Sequence, residues 1–426
     1  MLPDLRVVRK DEMKMKNAFT VFAAWSIPAM LVAQPTVSNI RLSQPAGSKI
    51  VTVTYDLSDD PAVVTMDITV NGASIGVDKL VNATGDVNRK VSVGTQRKIQ
   101  WKACDTWPGH DARGSARAVL KAWPLNNPPD FMVVDLSAKS NVFFYASAEA
   151  LPGGCDGDVY KADKMLLRRI HAAGVRWLEG CNPNYCKVYG QTRPNEYQHY
   201  VTLSEDYYIG VYEYTAGNDS RIRSISYDAK YLKSPKGSLS WNAIRGTPSE
   251  TVLSNWPKDG HQVGDGSIMD AVRKFTGLMF DLPTEAQWEY ACRAGTSGEH
   301  YFSGLESGDQ NNVVNHAWIL DNTGNVNDPG VKPVGHWDAN PWGLYDMYGN
   351  VGEWCLDWSE SFLTSAAGND VTDPTGPETG TNRAFRGGHI GDGAGYAHSS
   401  DRRYHLPPST NYSQCGMRLV CPAYVP

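Results

Sequence analysis

The sequence has no excess of positive charge. Its 426 residues include 40 Lys and Arg against 46 Asp and Glu, a formal net charge of −6 at pH 7. A protein that binds nucleic acid needs a basic surface to neutralise the phosphates, so nucleic acid is not an expected partner. The acidic residues are spread along the chain, which favours a soluble protein over one attracted to anionic membranes.

Long hydrophobic runs are also scarce. The clearest run, residues 18–33, follows two lysines and has the length of a signal-peptide core, which is short for a membrane span. We therefore expect residues 1–34 to be a signal peptide cleaved near Ala33. The protein would then be exported to the periplasm, the cell surface or the medium, with no membrane span left. An uncleaved anchor is the alternative, and translation from Met13 or Met15 would remove the atypical upstream residues.

Closely spaced cysteine pairs of the CxxC type, which are typical of zinc sites, are missing. The eight cysteines are even in number, and in an exported protein they fit disulfides. Cys181 and Cys186 lie close enough to close a small loop, whereas the sequence does not choose among the other pairings. Half of a zinc site is the alternative for this pair, but no histidine lies nearby.

Turn formers and large aromatic residues are abundant. The chain contains 40 Gly, 25 Pro, 13 Trp and 21 Tyr, which indicates many turns and aromatic anchors and few long helices. Residues 49–57 alternate apolar and polar side chains, the period of a half-buried strand. Residues 63–77 have the same period and include Asn71-Gly72, a dipeptide that favours a tight hairpin.

Several such strands at regular spacing predict a small β-sandwich of immunoglobulin or fibronectin type over residues 35–123. A proline-rich break at 124–130 marks its end. We interpret residues 124–156 as a linker with an extended strand. No chemistry is predicted for the sandwich, which we expect to act as a spacer or docking unit.

The remaining residues show helix and strand signals separated by long stretches rich in Gly, Asn and Asp. Residues 198–215 are typical of strand, turn and strand, and residues 267–278 of a short helix. Thr284 with Gln287 three residues later is a capping box. It predicts a second helix that ends at Gly295.

Two blocks in this part resemble a known family. LPTEAQWEYACRAGT (282–296) and NPWGLYDMYGNVGEW (340–354) lie between YYIGVYEYT upstream and FRGGH and GMRLV downstream. This order resembles the formylglycine-generating enzyme, or sulfatase-modifying factor, family over residues 157–426. The resemblance implies an irregular α+β domain related to C-type lectins, so the expected architecture is a small all-β sandwich followed by such a domain.

In that family the loop that matches YDMYGNVGEW holds calcium. Carried over by the motif, its ligands are the side chains of Asp346 and Glu353 and the main-chain carbonyls of Gly349 and Val351, an oxygen-rich set that suits this hard cation. The alternative is that both carboxylates bond turn amides without a metal. The family commonly has Trp at Gly352, which predicts looser packing beside this loop. A second calcium site is expected nearby, with candidate ligands Asn322, Asn325 and Asp328.

The oxidases of the family bind Cu(I) through two cysteines shortly after the RGGS block. Those positions fall on Asp392 and Ala397, and the serine of the block is His389. Paired thiolates are the soft ligands that select Cu(I), and neither residue replaces one, so copper is not an expected cofactor. Whether the chain is an enzyme is therefore open. Cys415 and Cys421 lie beyond this segment, and we interpret them as fold or disulfide cysteines.

The disulfide framework of the oxidases is altered as well. The positions that match one of their bridges are Phe275 and Leu419. Cys292 is kept, but its expected partner position is Arg402. Cys292 is therefore predicted to be free or paired differently.

The segment that begins at His389, the last residue of RGGH, supports two further interpretations. Nonheme iron takes two histidines and a carboxylate, and this segment has His389, His398, His405, Asp392 and Asp401. Its polar and aromatic side chains also suit a ligand surface, because they combine adaptable hydrogen bonds with rigid contact area. The candidates for that surface are His389, Tyr396, His398, Asp401, Tyr404 and His405.

From these observations we expect an exported, non-catalytic module that binds a protein, peptide or glycan through a calcium-stabilised lectin-like fold. One alternative is a formylglycine-generating oxidase that oxidises a substrate cysteine with copper. The other is a nonheme-iron oxidoreductase of the same family.

Overall fold

The structure, a computed structural model, describes most of the chain after residue 33. The described residues are 34–110, 112, 114–181, 187–188, 191–192, 198–247, 262–302, 309–323, 330–359, 370–402 and 404–426. Residues 34–426 group into one compact unit. The predicted signal peptide, Cys186, Asn325 and Asp328 lie outside the described residues, and so do the side chains of Tyr404 and His405.

Helices are few and short, as the turn-rich composition predicts. Within the described ranges none is both long and apolar enough to cross a bilayer. The helices are α1 (Ala103–Thr106), α2 (Ala216–Arg223), α3 (Trp241–Arg245), α4 (Ile268–Thr276), α5 (Glu285–Arg293) and α6 (Leu320–Thr323).

Two facing sheets form the N-terminal part. One sheet has the order β1-β2-β7-β5, and the other has β4-β3-β6 with β8 also paired to β3. The hairpin between β3 and β4 turns at Asn71 and Gly72, which have φ angles of 52° and 84°, as this dipeptide predicts. The strands are β1 (Thr36–Ser43), β2 (Val51–Ser58), β3 (Ala62–Val70), β4 (Ala73–Ser74), β5 (Thr84–Gly85), β6 (Lys90–Val91), β7 (Gly94–Trp101) and β8 (Ala116–Pro124).

The core of this sandwich follows from the alternation seen in the sequence. Every second residue of β2, from Val51 to Leu57, is buried, and Val64 and Ile68 of β3 face them from the other sheet. Apolar side chains on the inner faces of both sheets thus form one core.

Four further sheets make up the rest of the described chain. Their orders are β10-β9-β11-β16-β22, β12-β15-β18, β13-β14 and β20-β19-β17-β21. With the helices they give a mixed α+β architecture. The strands are β9 (Phe131–Asp135), β10 (Val142–Tyr145), β11 (Lys164–Ile170), β12 (Val175–Glu179), β13 (Lys187–Val188), β14 (Gln191–Thr192), β15 (His199–Leu203), β16 (Tyr207–Gly210), β17 (Gly352–Trp358), β18 (Asp370–Thr372), β19 (Arg383–Arg386), β20 (Tyr404–Leu406), β21 (Cys415–Gly416) and β22 (Val420–Pro422).

The segment interpreted as a linker, residues 124–156, contributes strands to this second part. It supplies β9 and β10, and β9 pairs antiparallel with both β10 and β11. Val63 of the sandwich packs in the same core cluster as Met132 of β9. The sandwich and the C-terminal part therefore share packed side chains.

The predicted helices begin at their capping residues, and α5 ends at Arg293 with Ala294, not Gly295, as its left-handed cap. The Ser267 side chain caps α4, which ends at Gly277 with φ 72°. In the capping box of α5 the Thr284 hydroxyl accepts from the Gln287 amide at 3.2 Å, and the Gln287 side chain accepts from the Thr284 amide at 3.0 Å. All nine residues of α5 are buried, so this helix lies inside the C-terminal part and can position buried groups.

The described cysteines that carry free thiols are Cys104, Cys155, Cys292, Cys355, Cys415 and Cys421. Cys415 and Cys421 are therefore fold residues with free thiols, and Cys292 is free, which was one of its two predicted states. The loop closure between Cys181 and Cys186 stays a prediction.

Candidate functional site

The loop from Asp346 to Glu353 is organised by a buried carboxylate that precedes α2. Glu213 accepts from the Asn350 side-chain amide at 2.8 Å and from the Val351 main-chain amide at 3.1 Å. Gly349, with φ 75°, donates its amide to the Gly387 carbonyl at 2.9 Å. Glu213 was not singled out in the sequence, although an acidic residue within the apolar run YYIGVYEYT is the signal that could have identified it.

The two predicted calcium-binding side chains have different surroundings. Asp346 accepts from the Gly335 amide at 2.6 Å, and burial raises the pKa of its carboxyl to about 6. Glu353 is paired with Arg418, whose Nη2 lies 2.8 Å from Oε1, and its Oε2 accepts from the Trp288 indole at 2.6 Å. Glu353 is therefore already neutralised by a cation of the fold.

Three buried carboxylates, Glu213, Asp346 and Glu353, interact electrostatically with one guanidinium, that of Arg418, which is hydrogen-bonded to Glu353. Burial, followed by the charges of Asp346 and Glu353, raises the pKa of Glu213 well above its usual range. An additional cation would offset this excess of buried negative charge. Oxygen donors suit calcium, but in the described part of the chain no three acidic, His or Cys side chains are grouped so that they could hold a metal ion, and calcium at Asp346 stays a prediction. Glu353 fits calcium less well, because Arg418 and Trp288 already hold its oxygens.

Asn322 is the described residue among the three candidate ligands of the second calcium site, and its side chain bonds to the main chain. The side-chain oxygen of Asn322 accepts from the Ile319 amide at 3.1 Å, and its amide donates to the carbonyls of Val314 and Ala317. These contacts hold the turn before α6. Asn325 and Asp328 lie outside the described residues, so the site itself stays a prediction.

Gly352 does not leave loose packing beside the loop, contrary to the expectation. A Cβ atom at this position would lie 2.0 Å from the ring of Phe385 on β19. That ring also meets Trp354 edge to face, with 5.4 Å between centroids. The Phe385 ring fills the space that a larger residue would take.

The two positions expected for copper-binding cysteines lie inside the fold. Asp392 is buried, and its carboxylate accepts from the His389 main-chain amide at 3.0 Å. Ala397 has no exposed surface. Cys415 pairs with Gly352 in one sheet, and Cys421 pairs with Tyr208 in another. These two thiols belong to separate sheets and do not form a pair near His389.

The predicted ligand surface is largely an interior segment. His389, His398 and Asp401 are buried, and Tyr396 is half-buried. The expectation that these side chains form an exposed surface is therefore wrong for the first three. The physical reason is that the segment packs against other elements: the Ser399 hydroxyl lies 2.7 Å from that of Tyr348, and Arg386 of β19 donates to the carbonyls of Ser399 and Asp401. The exposed aromatic residue nearby is Tyr412, whose ring lies 5.5 Å from that of His389.

His389 and His398 have different neighbours. The His398 ring lies 6.5 Å from that of His300, and its Nδ1 lies 3.3 Å from the Ser400 hydroxyl. The His389 Nδ1 lies 3.6 Å from the Asp392 carboxylate. Over the described part of the chain, His, Cys, Asp and Glu side chains do not gather in threes suited to a metal ion. The iron interpretation is thus not supported by the described side chains, while His405 remains outside them.

Arg402 stands at the position expected for the disulfide partner of Cys292, and it forms an ion pair. Arg402 donates through Nε to Glu285 at 2.9 Å, and Arg386 joins the same carboxylate at 2.9 Å and Glu289 at 3.0 Å. Cys292 instead lies 3.8 Å from the Ser399 hydroxyl. Burial raises the pKa of the Cys292 thiol to about 12, so it is held as an unreactive thiol.

Comparison with known proteins relates the C-terminal part to one family. The family model described as sulfatase-modifying factor enzyme 1-like domain matches residues 172–423. A formylglycine-generating enzyme from Thermomonospora curvata is 35% identical over 153 residues, which cover 35% of this chain and 49% of that protein. The bovine formylglycine-generating enzyme is 33% identical over 158 residues, 36% of this chain and 40% of that protein. The chain thus matches about half or less of the length of these relatives.

The comparison also matched two solved structures. Treponema denticola variable protein 1 is 24% identical with a TM-score of 0.45, and the match covers 61% of this chain and 95% of that one. PvdO from Pseudomonas aeruginosa is 20% identical with a TM-score of 0.45, and the match covers 60% of this chain and 94% of that one.

Proposed function

Because the chain belongs to the sulfatase-modifying factor enzyme 1-like family, we propose that it is a non-catalytic member of that family. Its role is that of an exported binding or surface module for a protein, peptide or glycan. The observation that supports this proposal is the chemistry at the two positions of the copper thiolates. A copper-dependent oxidase needs soft thiolate ligands there, and this chain has Asp392 and Ala397.

The surroundings of these positions also support the proposal. The Asp392 carboxylate is hydrogen-bonded to the His389 amide, so it has a structural use. Burial raises the pKa of the Cys415 thiol to about 12, and it raises the pKa of Cys421 further. In the metal-free fold both thiols are therefore neutral and buried, and neither is a reactive nucleophile at neutral pH.

Calcium is part of the proposal as a structural cation. Asp346 would hold it together with the carbonyl oxygens of Gly349 and Val351, while Glu353 would have to share its oxygens with Arg418. The ion would lower the cost of burying Glu213 and Asp346 beside each other. It would thereby stabilise the loop before β17.

The alternative function is that of an oxidase of the formylglycine-generating type. It is favoured by the retained blocks 282–296 and 340–354 and by the names of the relatives that match them. This alternative requires a pair of thiolates from another part of the chain.

An oxidation assay separates the two functions. We expect the full chain, incubated with a Cys-X-Pro-X-Arg peptide, copper, a reductant and oxygen, to leave the mass of the peptide cysteine unchanged relative to the same reaction without the protein. Conversion above that control would overturn the proposal. The double variant Asp392→Cys/Ala397→Cys restores the two sulfur positions, and we expect it to compete for Cu(I) with a chromogenic chelator where the unmodified chain does not. Competition by the unmodified chain would also contradict the proposal.

A further inference from the structure

The β-sandwich contains a large cavity at the end where β1 and β7 finish and β2 and β8 begin. Its volume is about 670 Å³, within the range of roughly 300–1,000 Å³ that is usual for small-molecule sites. Leu42 and Val51 line it from one sheet, and Ile68 and Ala116 from the other. The family match begins at residue 172, so this cavity lies in a part of the chain that the match does not cover.

One wall of the cavity is a stack of aromatic rings. The rings of Trp101 and Trp107 are stacked with 6.3 Å between centroids, and Trp107 stacks on His110 at 4.1 Å with only 9° between the planes. The Trp101 indole donates to the Lys79 carbonyl at 2.9 Å and to the Thr106 hydroxyl at 3.1 Å. Trp101 is buried, Trp107 half-buried and His110 exposed, so the stack leads from the core to the mouth of the cavity.

The rest of the lining is polar or small. The Ser43 hydroxyl and the Gln44 amide donate to the carbonyls of Thr52 and Ser48, so these two side chains offer their oxygens as acceptors to the cavity that they line. Both described bonds of Arg117 use Nη1, to the carbonyls of Gly114 and Ala116, so its Nε and Nη2 can donate to a ligand.

Two glycines show that the loops leave open space. A Cβ atom at Gly47 or Gly109 would meet no heavy atom within 4 Å. Both line the cavity.

We propose that this cavity binds a saccharide, with a sugar ring packed against the Trp107–His110 stack and its hydroxyls bonded to the polar rim. A pyranose presents C–H groups on its faces and hydroxyls at its edge, which matches an aromatic wall beside polar side chains. Sugar hydroxyls can donate to the side-chain oxygens of Ser43 and Gln44 and accept from Nε and Nη2 of Arg117, whereas a purely apolar ligand makes none of these bonds. This proposal is independent of the chemistry of the C-terminal part.

The reactivity of Cys104 can report whether the cavity is occupied. Cys104 lines the cavity and is exposed with a free thiol, whereas the other free thiols of the described chain are buried or half-buried. The rate at which N-ethylmaleimide alkylates Cys104, followed by peptide mass spectrometry, therefore reports whether the cavity is filled. Tryptophan fluorescence gives a second, independent readout.

The test uses the full chain with trisaccharides of glucose, xylose, N-acetylglucosamine and galacturonate as probes and indole as the apolar comparison. We expect at least one trisaccharide to slow alkylation of Cys104 and to shift the fluorescence. Trp107→Ala should raise the Kd of that sugar about tenfold, ~1.4 kcal/mol. The control Tyr231→Ala, which removes an exposed aromatic ring outside the cavity, should leave the Kd unchanged.

Three results would overturn the proposal. They are protection by indole but by no trisaccharide, no protection by any probe at millimolar concentration, and equal affinity in Trp107→Ala. If thermal unfolding shows that Trp107→Ala does not fold, Ala46→Trp in the exposed loop replaces it. The added indole fills the cavity, and this variant should lose sugar protection, whereas retained protection would count against the site.

Discussion

Asp346 shows how a single residue can be held in an unfavourable state. Its backbone has φ 53°, a left-handed conformation that is uncommon outside glycine, and its carboxyl is buried beside two others. Its folded pKa of about 6 lies above the ordinary 3.8. The folded chain therefore binds this proton more tightly than the unfolded chain, and the resulting stabilisation is lost as the pH rises from about 4 to about 6.

Replacing Asp346 should reveal whether a cation offsets that loss. In a chelator at pH 8 we expect Asp346→Asn to unfold a few degrees higher than the unmodified chain, because the variant buries no charge. Millimolar calcium should raise the melting temperature of the unmodified chain and not that of the variant, since a ligand of the folded state stabilises it by mass action. Differential scanning calorimetry measures both.

Asp357→Asn is the matched control. Asp357 is also a buried carboxyl, with its pKa raised to about 8 by burial and then by Glu285, but it is not a predicted calcium ligand. Its variant should keep the calcium response. An equal response in Asp346→Asn would remove the case for calcium at this loop.

Strands β17 and β19 pack closely at Gly352 of β17 and Phe385 of β19. A methyl group at Gly352 would lie within 2.0 Å of the Phe385 ring, and overpacking of this kind costs ~1–3 kcal/mol. Gly352→Ala should therefore lower the free energy of unfolding by that amount in urea titrations.

Phe385→Leu in the same chain tests the cause. Because the smaller side chain makes room, the double variant should be more stable than the sum of the two single effects, by ~0.5–3 kcal/mol for residues in contact. Strictly additive effects would show that Gly352 is required for another reason.

The elements that the sequence predicted are those with local signals. Asn71-Gly72 favours a tight turn, and Thr284 and Gln287 bond to each other at the start of α5. Both structures depend only on residues close together in the sequence. Residues 198–215 do form two strands, but β15 and β16 enter different sheets, a choice made by strands far away in the chain.

Sequence reasoning could predict parts of the candidate site only where a family motif covers them. The family pattern pointed to the loop 346–353, whose calcium ligands stay a prediction. The contacts of Glu213 and Arg418 arise from residues far apart in sequence: Glu213 and Asn350 are separated by 137 positions. The polar composition of the segment predicted that His389, His398 and Asp401 are exposed, which is wrong. Polar residues indicate exposure only when the fold offers them no partners.

At the scale of the whole molecule, His171 joins two distant segments. It lies 3.0 Å from Asp130, just before β9, and 3.2 Å from Asp206, just before β16. Hydrogen bonds to Asp130 and then to Asp206 raise its pKa to about 9 from 6.5. A histidine with a raised folded pKa adds stability that is complete below pH 6.5 and lost as the pH rises through about 9.

His171→Gln should therefore destabilise the protein at pH 6 and matter little at pH 10. The His171 side chain is 58% exposed, so solvent screening limits the expected loss to ~0.5–1 kcal/mol. Urea unfolding at pH 6, 8 and 10 compares the two chains. A loss that stays constant across this range would contradict the charge-based explanation.

The late strands β21 and β22 have a consequence for biosynthesis. Arg418, between them, donates to the Gly210 carbonyl of β16 at 2.9 Å across 208 positions of sequence. While a ribosome is still adding those positions, β16 can pair with β11, which precedes it, but its other edge lacks β22. Such long-range closure is slow and leaves apolar surface open to aggregation, so this sheet is completed only when β22 has emerged.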